Sequence, residues 1–179
     1  MSSTLLAPPS PRPARWSRLL RHSVWDERRL LRHVPPAALA RLQAAVQASE
    51  ARHQGELRLS IEAHLPWGQL WRRTSPRERA LELFSQLRVW DTEHNSGVLV
   101  YLLMADRAIE IVADRGLARH VPAAQWQALA AAMREPFRQG QFEAGLMLAL
   151  DQLTTWLVAY APQTGPTRSN ELPDAPDVR

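Results

Sequence analysis

Oxygen-bearing side chains gather in two short stretches of the sequence, and each stretch contains a glycine. The first covers residues 91–97 and the second covers residues 114–116. Together with an acidic residue from an earlier strand-like segment, the candidate donors are Glu56, Asp91, Thr92, Glu93, Asn95 and Asp114. Carboxylate, amide and hydroxyl oxygens suit Ca²⁺ or Mg²⁺ better than zinc or copper. Within this set, Asp114 and Asp91 are the candidate metal ligands.

The same residues are also typical of a purely structural turn. Asp91 can cap or end a helix, Asn95 can form a turn, and Gly97 and Gly116 can supply positive backbone dihedral angles. A structural turn and a cation or small-anion site therefore both stay open at this point.

Catalysis is a further alternative. A metal-assisted phosphatase would use Asp114 with Asp91 or Glu56 to hold the ion, and an arginine to bind the phosphate. The candidate anion-binding residues are Arg58 and Arg115, whose guanidinium groups can instead neutralise the carboxylates. The sequence supplies no evident nucleophile with a positioned partner, so no residue is assigned a catalytic role.

Composition excludes several other chemistries. The 179 residues contain no cysteine, which removes thiolate metal sites, disulfides and a cysteine nucleophile. All 22 basic residues are arginine, so a Schiff-base lysine and a Walker-type lysine are impossible. The six histidines lack the one-turn spacing of a zinc helix, and the sequence has no nucleophile elbow or glycine-rich phosphate loop.

Three segments with strand character must position the oxygen donors. Residues 56–62 alternate polar and apolar side chains, which predicts a half-buried strand. Residues 98–104 are continuously apolar, which predicts a strand buried on both faces, and a short turn joins them to a strand over residues 108–113. We expect the first two strands to be parallel and the last two antiparallel. Glu56 and the two polar stretches should then meet at one edge of the sheet.

Helical periodicity accounts for most of the remaining chain. The predicted helices cover about residues 14–32, 36–53, 75–87, 122–139 and 142–161. Ser75, Pro76 and Glu78 form a capping-box start for the third of these helices. Because the central strand needs cover on both faces, we predict an α/β fold: a three-layer α/β/α sandwich with a small mixed β-sheet, preceded by N-terminal helices.

Positive charge is concentrated near the N-terminus. Residues 1–54 carry nine Arg and three acidic residues, a net charge of +6, whereas residues 55–161 carry a net charge of −1. An amphipathic helix over residues 14–32 can dock by its apolar side on the main domain with its arginines solvated outside, or it can lie on an anionic lipid or acidic protein surface. Nucleic acid is the least favoured partner, because aromatic and basic residues are not interleaved as in a base-stacking platform. Trp67 and Trp71 are expected in a loop and can form a partner surface.

The domain prediction has four parts. Residues 1–13 form a flexible Pro-rich lead, 14–54 a basic helical segment, 55–161 the α/β domain, and 162–179 a disordered tail. The longest apolar run is much shorter than the roughly 20 residues that span a bilayer. A cytoplasmic location, peripheral to the inner membrane in one alternative, is therefore expected.

Four ordered motifs resemble the TPM-domain family, and the resemblance covers roughly residues 50–161. The motifs are Gly55-Glu56-Leu57-Arg58, the run from Trp90 to Leu99, Ile111-Val112-Ala113-Asp114-Arg115-Gly116, and Gly140-Gln141-Phe142-Glu143-Ala144-Gly145. Their glycines include Gly97, Gly116 and Gly145. The chain looks most similar to the standalone bacterial proteins of this family that carry a basic helical N-terminal segment.

The resemblance implies an α/β/α sandwich. It also implies that a phosphatase-like activity, a calcium site or a membrane association is possible, since relatives with each property are known. Glu56, Thr92, Asn95 and Asp114 are motif positions. The leading interpretation is an interaction or assembly module with a divalent-cation site, whose protein partner can be membrane-associated. The alternatives are a metal-assisted phosphatase and peripheral binding to an anionic membrane through the N-terminal helix.

Overall fold

A computed structural model describes residues 15–163 and 171–179 of the chain. The helices are α1 (Arg15–Ser23), α2 (Glu27–His33), α3 (Pro36–Glu50), α4 (Trp67–Trp71), α5 (Pro76–Gln86), α6 (Arg115–Ala118), α7 (Ala123–Arg138) and α8 (Phe142–Tyr160). The strands are β1 (Glu56–Glu62), β2 (Gly97–Leu103), β3 (Ala108–Ala113) and β4 (Asp177–Val178). The predicted flexible lead over residues 1–13 lies outside the described residues.

The four strands form one mixed sheet in the order β3-β2-β1-β4. β1 is parallel to β2, with Glu56 opposite Gly97, and β3 is antiparallel to β2, with Ala113 opposite Val98. Both directions agree with the prediction, because a helical connection reverses the chain twice whereas a tight turn reverses it once.

Helices cover both faces of the sheet, which confirms the three-layer architecture. On one face, the leucines and isoleucine of β1 join a core with α3, α7 and α8. On the other face, Leu99, Tyr101 and Leu103 of β2 pack with Ala80 and Leu83 of α5. Side chains alternate between faces along a strand, so a continuously apolar β2 supplies both cores. All seven β2 residues are buried.

The start of α5 follows from its first residues. The Ser75 hydroxyl accepts a hydrogen bond from the Glu78 N–H, and the Glu78 carboxylate accepts one from the Ser75 N–H at 2.6 Å. These two bonds satisfy N–H groups that have no partner within the helix. The capping box predicted from the sequence is confirmed.

The N-terminal helical region differs from the prediction of one helix over residues 14–32. It is divided into α1 and α2, because the Asp26 side chain accepts a hydrogen bond from the Arg29 N–H at 2.7 Å and so starts a new helix. An aspartate at an N-cap has extended backbone angles, which interrupt the preceding helix. The short helices α4 and α6 were likewise not predicted.

The polar face of β1 is covered, so the prediction of a half-buried strand was wrong. Every residue from Glu56 to Glu62 is buried. Arg79 of α5 covers Glu62, and residues 171–179, here called segment 171–179, cover Arg58 and Ser60. Alternation along a strand tells which residues share a face, but it does not reveal that a distant segment covers the polar one.

The predicted disordered tail over residues 162–179 is also corrected for its last nine residues. β4 pairs with β1, the Arg179 N–H donates to Ile61 O at 3.0 Å, and the Ala63 N–H donates to Arg179 O at 2.7 Å. Leu172 is buried in the core on the α5 side. A Pro- and Asp-rich composition suggests disorder, whereas here the unpaired edge of β1 supplies backbone partners that order the segment. Residues 164–170 lie outside the described residues.

Candidate functional site

The polar stretches meet at one end of the sheet, as their strand directions require. Glu56 begins β1 opposite Gly97, and the Asp114 N–H donates to Gly97 O at 2.9 Å. Glu56, residues 91–97 and residues 114–116 are together called the motif edge. Glu56, Thr92 and Asp114 are each less than one-tenth exposed.

Asp114 acts as the N-cap of α6. Its Oδ1 accepts a hydrogen bond from the Arg115 N–H at 2.6 Å. The Gly116 N–H then donates to Asn95 O at 2.7 Å, which joins the two polar stretches through their backbones. The order of Asp114, Arg115 and Gly116 therefore has a structural explanation that requires no ligand.

The other polar residues of the 91–97 stretch also contact protein groups. The Asn95 Oδ1 accepts from Arg115 Nη2 at 3.0 Å, and the Thr92 hydroxyl accepts from the Ser96 N–H at 3.1 Å. Asp91 is exposed, and its carboxylate lies 3.7 Å from the Arg88 Nε. The Glu93 N–H donates to the Glu171 carboxylate at 3.2 Å. Arg115 thus links the two polar stretches, and its proposed role as an anion-binding residue stays a prediction.

The motif glycines are required by close contacts between backbones or with a ring. A Cβ at Gly97 would lie 1.9 Å from Val89 O, and a Cβ at Gly116 would lie 2.3 Å from Asn95 O. A Cβ at Gly145 would lie 2.9 Å from the Phe137 ring. The expectation that Gly97 and Gly116 have positive φ angles was wrong, because only Gly140 has one among the described glycines.

Arg58 binds the backbone of segment 171–179. Its Nη1 donates to Pro173 O and to Ala175 O, the latter at 2.6 Å. Burial lowers the pKa of this guanidinium, although Asp177 and Asp174 act in the opposite direction. Carbonyl groups of segment 171–179 thus bind one nitrogen of this guanidinium, and the candidate anion-binding role of Arg58 stays a prediction.

A group of carboxyl side chains next to Arg58 was only partly predicted. Burial raises the pKa of Glu50 to about 9, helped by the nearby Glu56 and Asp174 and opposed by a hydrogen bond from the Leu57 N–H. Burial likewise raises the pKa of Glu56. The Glu56 Oε1 accepts from the Glu171 N–H at 3.3 Å, while its Oε2 is buried without a hydrogen-bond partner in the described part of the chain.

The motif edge does not form a ready-made cation cage. Within residues 15–163 and 171–179, no group of three or more His, Asp or Glu side chains has an arrangement that could hold a metal ion. Asp114 already caps α6, and Asn95 already accepts from Arg115.

A second polar cluster lies at the opposite end of β1, and sequence reasoning missed it. The Glu62 carboxylate accepts from Arg79 Nη2 at 2.7 Å, from Arg79 Nε at 3.0 Å and from the Tyr101 hydroxyl at 2.6 Å. Burial and the neighbouring Glu62 raise the pKa of Tyr101. For Arg79, burial opposes the charge, but the bonds with Glu62 outweigh it and raise the pKa. The polar groups satisfy one another, which indicates a structural role.

The basic helix α1 is docked on the domain through Asp106. This carboxylate accepts from Arg18 Nε at 2.9 Å and Nη2 at 2.8 Å, and from Arg21 Nη2 at 3.3 Å. The Leu65 N–H donates to His22 Nδ1 at 3.0 Å, so the proton lies on Nε2, 3.1 Å from Asp106 Oδ1. The helix is docked, but the predicted orientation was wrong: Arg18 and His22 face Asp106, whereas the apolar Leu20 is exposed.

Docking of α1 leaves an apolar surface exposed. Trp16 is 76% exposed and Leu20 is 67% exposed on α1, while Trp67 and Trp71 are 56% and 60% exposed on α4. These four side chains are called the Trp face. Arg18 donates to Thr74 O at 2.8 Å, whereas His22 contacts Leu65, so α1 runs alongside α4 in the opposite direction. None of the described helices has the length and apolar character needed to cross a membrane.

Comparison with known proteins identifies the class of this α/β/α domain. The TPM domain model matches residues 32–155, which include the sheet strands β1–β3 and the motif edge. The chain therefore belongs to the TPM-domain family.

A solved structure supports the same fold. The NMR structure of the BA42 protein from the psychrophilic bacterium Bizionia argentinensis is similar, with a TM-score of 0.70 and 24% sequence identity. The likeness covers 80% of this chain and 93% of that chain. No match was found among curated proteins. The comparisons thus support the family and the fold.

Proposed function

We propose that this TPM-domain protein is an interaction module that binds the surface of an anionic membrane through the Trp face. The observation that carries the proposal is the exposure of three tryptophans and a leucine on two adjacent helices. Large exposed apolar side chains on neighbouring helices are typical of interaction surfaces.

The way α1 is fixed explains why its apolar side faces outwards. Arg18 and His22 are held by Asp106, and Leu19 packs against the core on the α5 side. Trp16 and Leu20, which are four residues apart, therefore share the opposite side of the helix. On α4, Leu70 is buried while Trp67 and Trp71 point to the solvent. Each helix thus packs one leucine against the domain and keeps its other apolar side chains exposed.

Charge favours an anionic lipid surface as the occupant of the Trp face. Arg72 and Arg73 follow Trp71 directly and are exposed, and Arg21 follows Leu20 with a side chain that is 46% exposed. Tryptophan prefers the interface between headgroups and acyl chains. Each basic residue near an anionic leaflet adds about 1 kcal/mol of attraction. The combination is typical of a helix pair that lies on a membrane rather than one that crosses it.

Vesicle flotation tests the proposal. Full-length protein should float with phosphatidylglycerol-containing vesicles and remain at the bottom with pure phosphatidylcholine vesicles. A Trp67→Ser/Trp71→Ser variant should lose most of this binding, whereas the matched variant Trp90→Ser, whose side chain is 50% exposed elsewhere, should retain it. Equal flotation of the three proteins with anionic vesicles would show that the Trp face does not carry the binding, and a wild type that stays at the bottom would remove the membrane and favour a protein partner.

The divalent-cation site and the metal-assisted phosphatase stay second proposals. They are supported by the family and by the buried Glu56 oxygen that has no partner in the described part of the chain. A cation at the motif edge should raise the melting temperature at millimolar Ca²⁺ or Mg²⁺, since a ligand that binds only the folded state stabilises it. The rise should be lost in Asp114→Asn and retained in Asp151→Asn, an exposed control on α8. Phosphatase activity that persists in Asp114→Asn would contradict the enzyme proposal.

A further inference from the structure

We propose that the edge and polar face of β1 form a binding groove for an extended, proline-containing acidic segment of a partner protein. In this structure, segment 171–179 occupies that groove as an intramolecular ligand. The groove is lined by Glu56, Arg58, Ser60 and the backbone of residues 61–63.

Recognition at one end of the groove is strand addition. β4 pairs in parallel with β1, and Ser60 lies opposite Asp177 and Ile61 opposite Val178. The Arg179 N–H donates to Ile61 O, and the Ala63 N–H donates to Arg179 O. An unpaired strand edge binds an extended peptide through such main-chain bonds with little regard to side chains.

Recognition at the other end suits a peptide that contains proline. Pro173 and Pro176 have no N–H, so this stretch cannot form a regular ladder with β1. Arg58 instead donates to the carbonyl groups of Pro173 and Ala175, and Glu56 accepts the N–H of Glu171. Glu56 and Arg58 of β1 therefore bind the backbone of a segment that a strand edge alone would not hold.

Two side chains of the segment give the groove its preference. Leu172 is only 7% exposed and packs in the core on the α5 side. The Asp177 carboxylate accepts from the Ser60 hydroxyl at 2.8 Å. The bound pattern is a leucine followed by proline, then by a second proline and an aspartate, which defines the chemistry expected of the partner segment.

The segment is an addition to the domain, which is why another peptide can replace it. The TPM domain match ends at residue 155, before the segment begins. Leu172 is its single member of the two buried apolar cores among the described residues. The groups that its departure would uncover on β1 are Glu56, Arg58 and Ser60, all of which water can solvate.

Fluorescence anisotropy with a labelled peptide of residues 171–179 tests the proposal on the full-length chain. In the wild type, the attached segment competes at a millimolar effective concentration and should keep peptide binding weak. Leu172→Asp should release the segment and bind the peptide at least about tenfold more tightly, and adding Arg58→Gln should remove that gain. The control Leu148→Asp, at an exposed leucine of α8, should bind like the wild type.

Several outcomes would overturn the proposal. In the first, the Leu172→Asp protein melts cooperatively but binds the peptide no more tightly than the wild type. In the second, the Leu172→Asp protein binds a scrambled peptide as tightly as the peptide of residues 171–179. Concentration-dependent dimerisation of the wild type that Arg58→Gln abolishes would assign the groove to a second copy instead.

Hydrogen exchange of the wild type covers the case in which Leu172→Asp fails to fold. The Ala63 and Arg179 amides, which depend on the segment, should exchange faster than the amides of β2. Equal rates would mean that the segment opens only when the whole domain unfolds, and would contradict the proposal.

Discussion

Both ends of β1 contain buried charged side chains, but different kinds of contact surround them. At the Glu62 end, one carboxylate, one guanidinium and one phenol satisfy each other within a sealed core. At the Glu56 end, burial raises the pKa values of Glu50 and Glu56, and the covering segment comes from far along the chain. The first arrangement stabilises one structure, whereas the second can respond to pH, ions or a competing peptide.

The largest loss of stability is expected when the ion pair at the Glu62 end is removed. Arg79→Ala leaves the Glu62 carboxylate buried, with a side chain only 3% exposed, and without its cation. Removing one partner of a buried ion pair costs about 3–5 kcal/mol. Urea unfolding should therefore show a loss of this size for Arg79→Ala.

The control for this prediction is the exposed pair of Arg41 and Glu143. The Arg41 side chain is 57% exposed, so Arg41→Ala should cost far less stability than Arg79→Ala. Similar losses in Arg79→Ala and Arg41→Ala would contradict the distinction between sealed and exposed charge.

The second prediction concerns the backbone contact that closes the motif edge. Gly97→Ala would place a methyl group 1.9 Å from Val89 O, so the start of β2 must shift away from the turn that follows α5. Overpacking of this kind costs about 1–3 kcal/mol, and the backbone contact puts the cost at the upper end of that range. Thermal unfolding measures the loss.

Gly68→Ala is the matched control, because its Cβ would meet no atom within 4 Å. A helical glycine replaced by alanine should leave stability unchanged or raise it by up to about 1 kcal/mol. If Gly97→Ala were as stable as Gly68→Ala, the motif glycine would not be explained by packing.

Local patterns predicted most of the fold. The apolar run in β2 and the capping box at Ser75 each depend on neighbours in sequence, and both were confirmed. The alternation in β1 predicted the strand itself but not the burial of its polar face. Strand directions followed from the lengths of the connections, so the meeting of Glu56 with Asp114's turn was also predictable.

Contacts between distant residues could not be predicted from these patterns. Ser60 and Asp177 are 117 positions apart, and Glu62 and Arg79 are joined across two elements. Nothing near Arg58 in sequence shows that the carbonyl groups of Pro173 and Ala175 bind its Nη1. The surroundings of the polar side chains of β1 depend on such contacts, which is why the fold was easier to predict than the function.

A third prediction uses pH to sharpen the comparison between the two ends. Burial raises the pKa of Glu50 from its ordinary value of 4.5 to about 9. Between these pH values the folded chain binds more protons than the unfolded chain at this residue, so its contribution lowers the free energy of unfolding as pH rises. Glu50→Gln removes that dependence and should be more stable than the wild type at pH 8 by at least about 1.4 kcal/mol, the equivalent of one pKa unit.

Comparison of the two proteins at each pH isolates Glu50 from other groups. Burial lowers the pKa of His53 to about 4, so His53 makes folding less favourable as pH falls from 6.5 towards 4 in both proteins. The difference between wild type and Glu50→Gln should shrink towards zero near pH 4. A difference that stayed constant from pH 4 to pH 8 would show that Glu50 is not held in its neutral form.

The smallest expected loss of stability tests whether Asp114 is needed as a helix cap or for its negative charge. Its carboxylate starts α6 by accepting from the Arg115 N–H, a role that asparagine performs equally well. Asp114→Ala should cost about 1 kcal/mol in urea unfolding, and Asp114→Asn should cost a few tenths at most. If instead Asp114→Asn lost as much stability as Asp114→Ala, the motif edge would need a negative charge there, and the cation proposal would gain over the structural turn. Repeating the measurements on the wild type and both variants with millimolar Ca²⁺ separates the cases further. If Asp114 is only a cap, Ca²⁺ should leave the stability of all three proteins unchanged, and if Asp114 is a metal ligand, Ca²⁺ should stabilise the wild type alone.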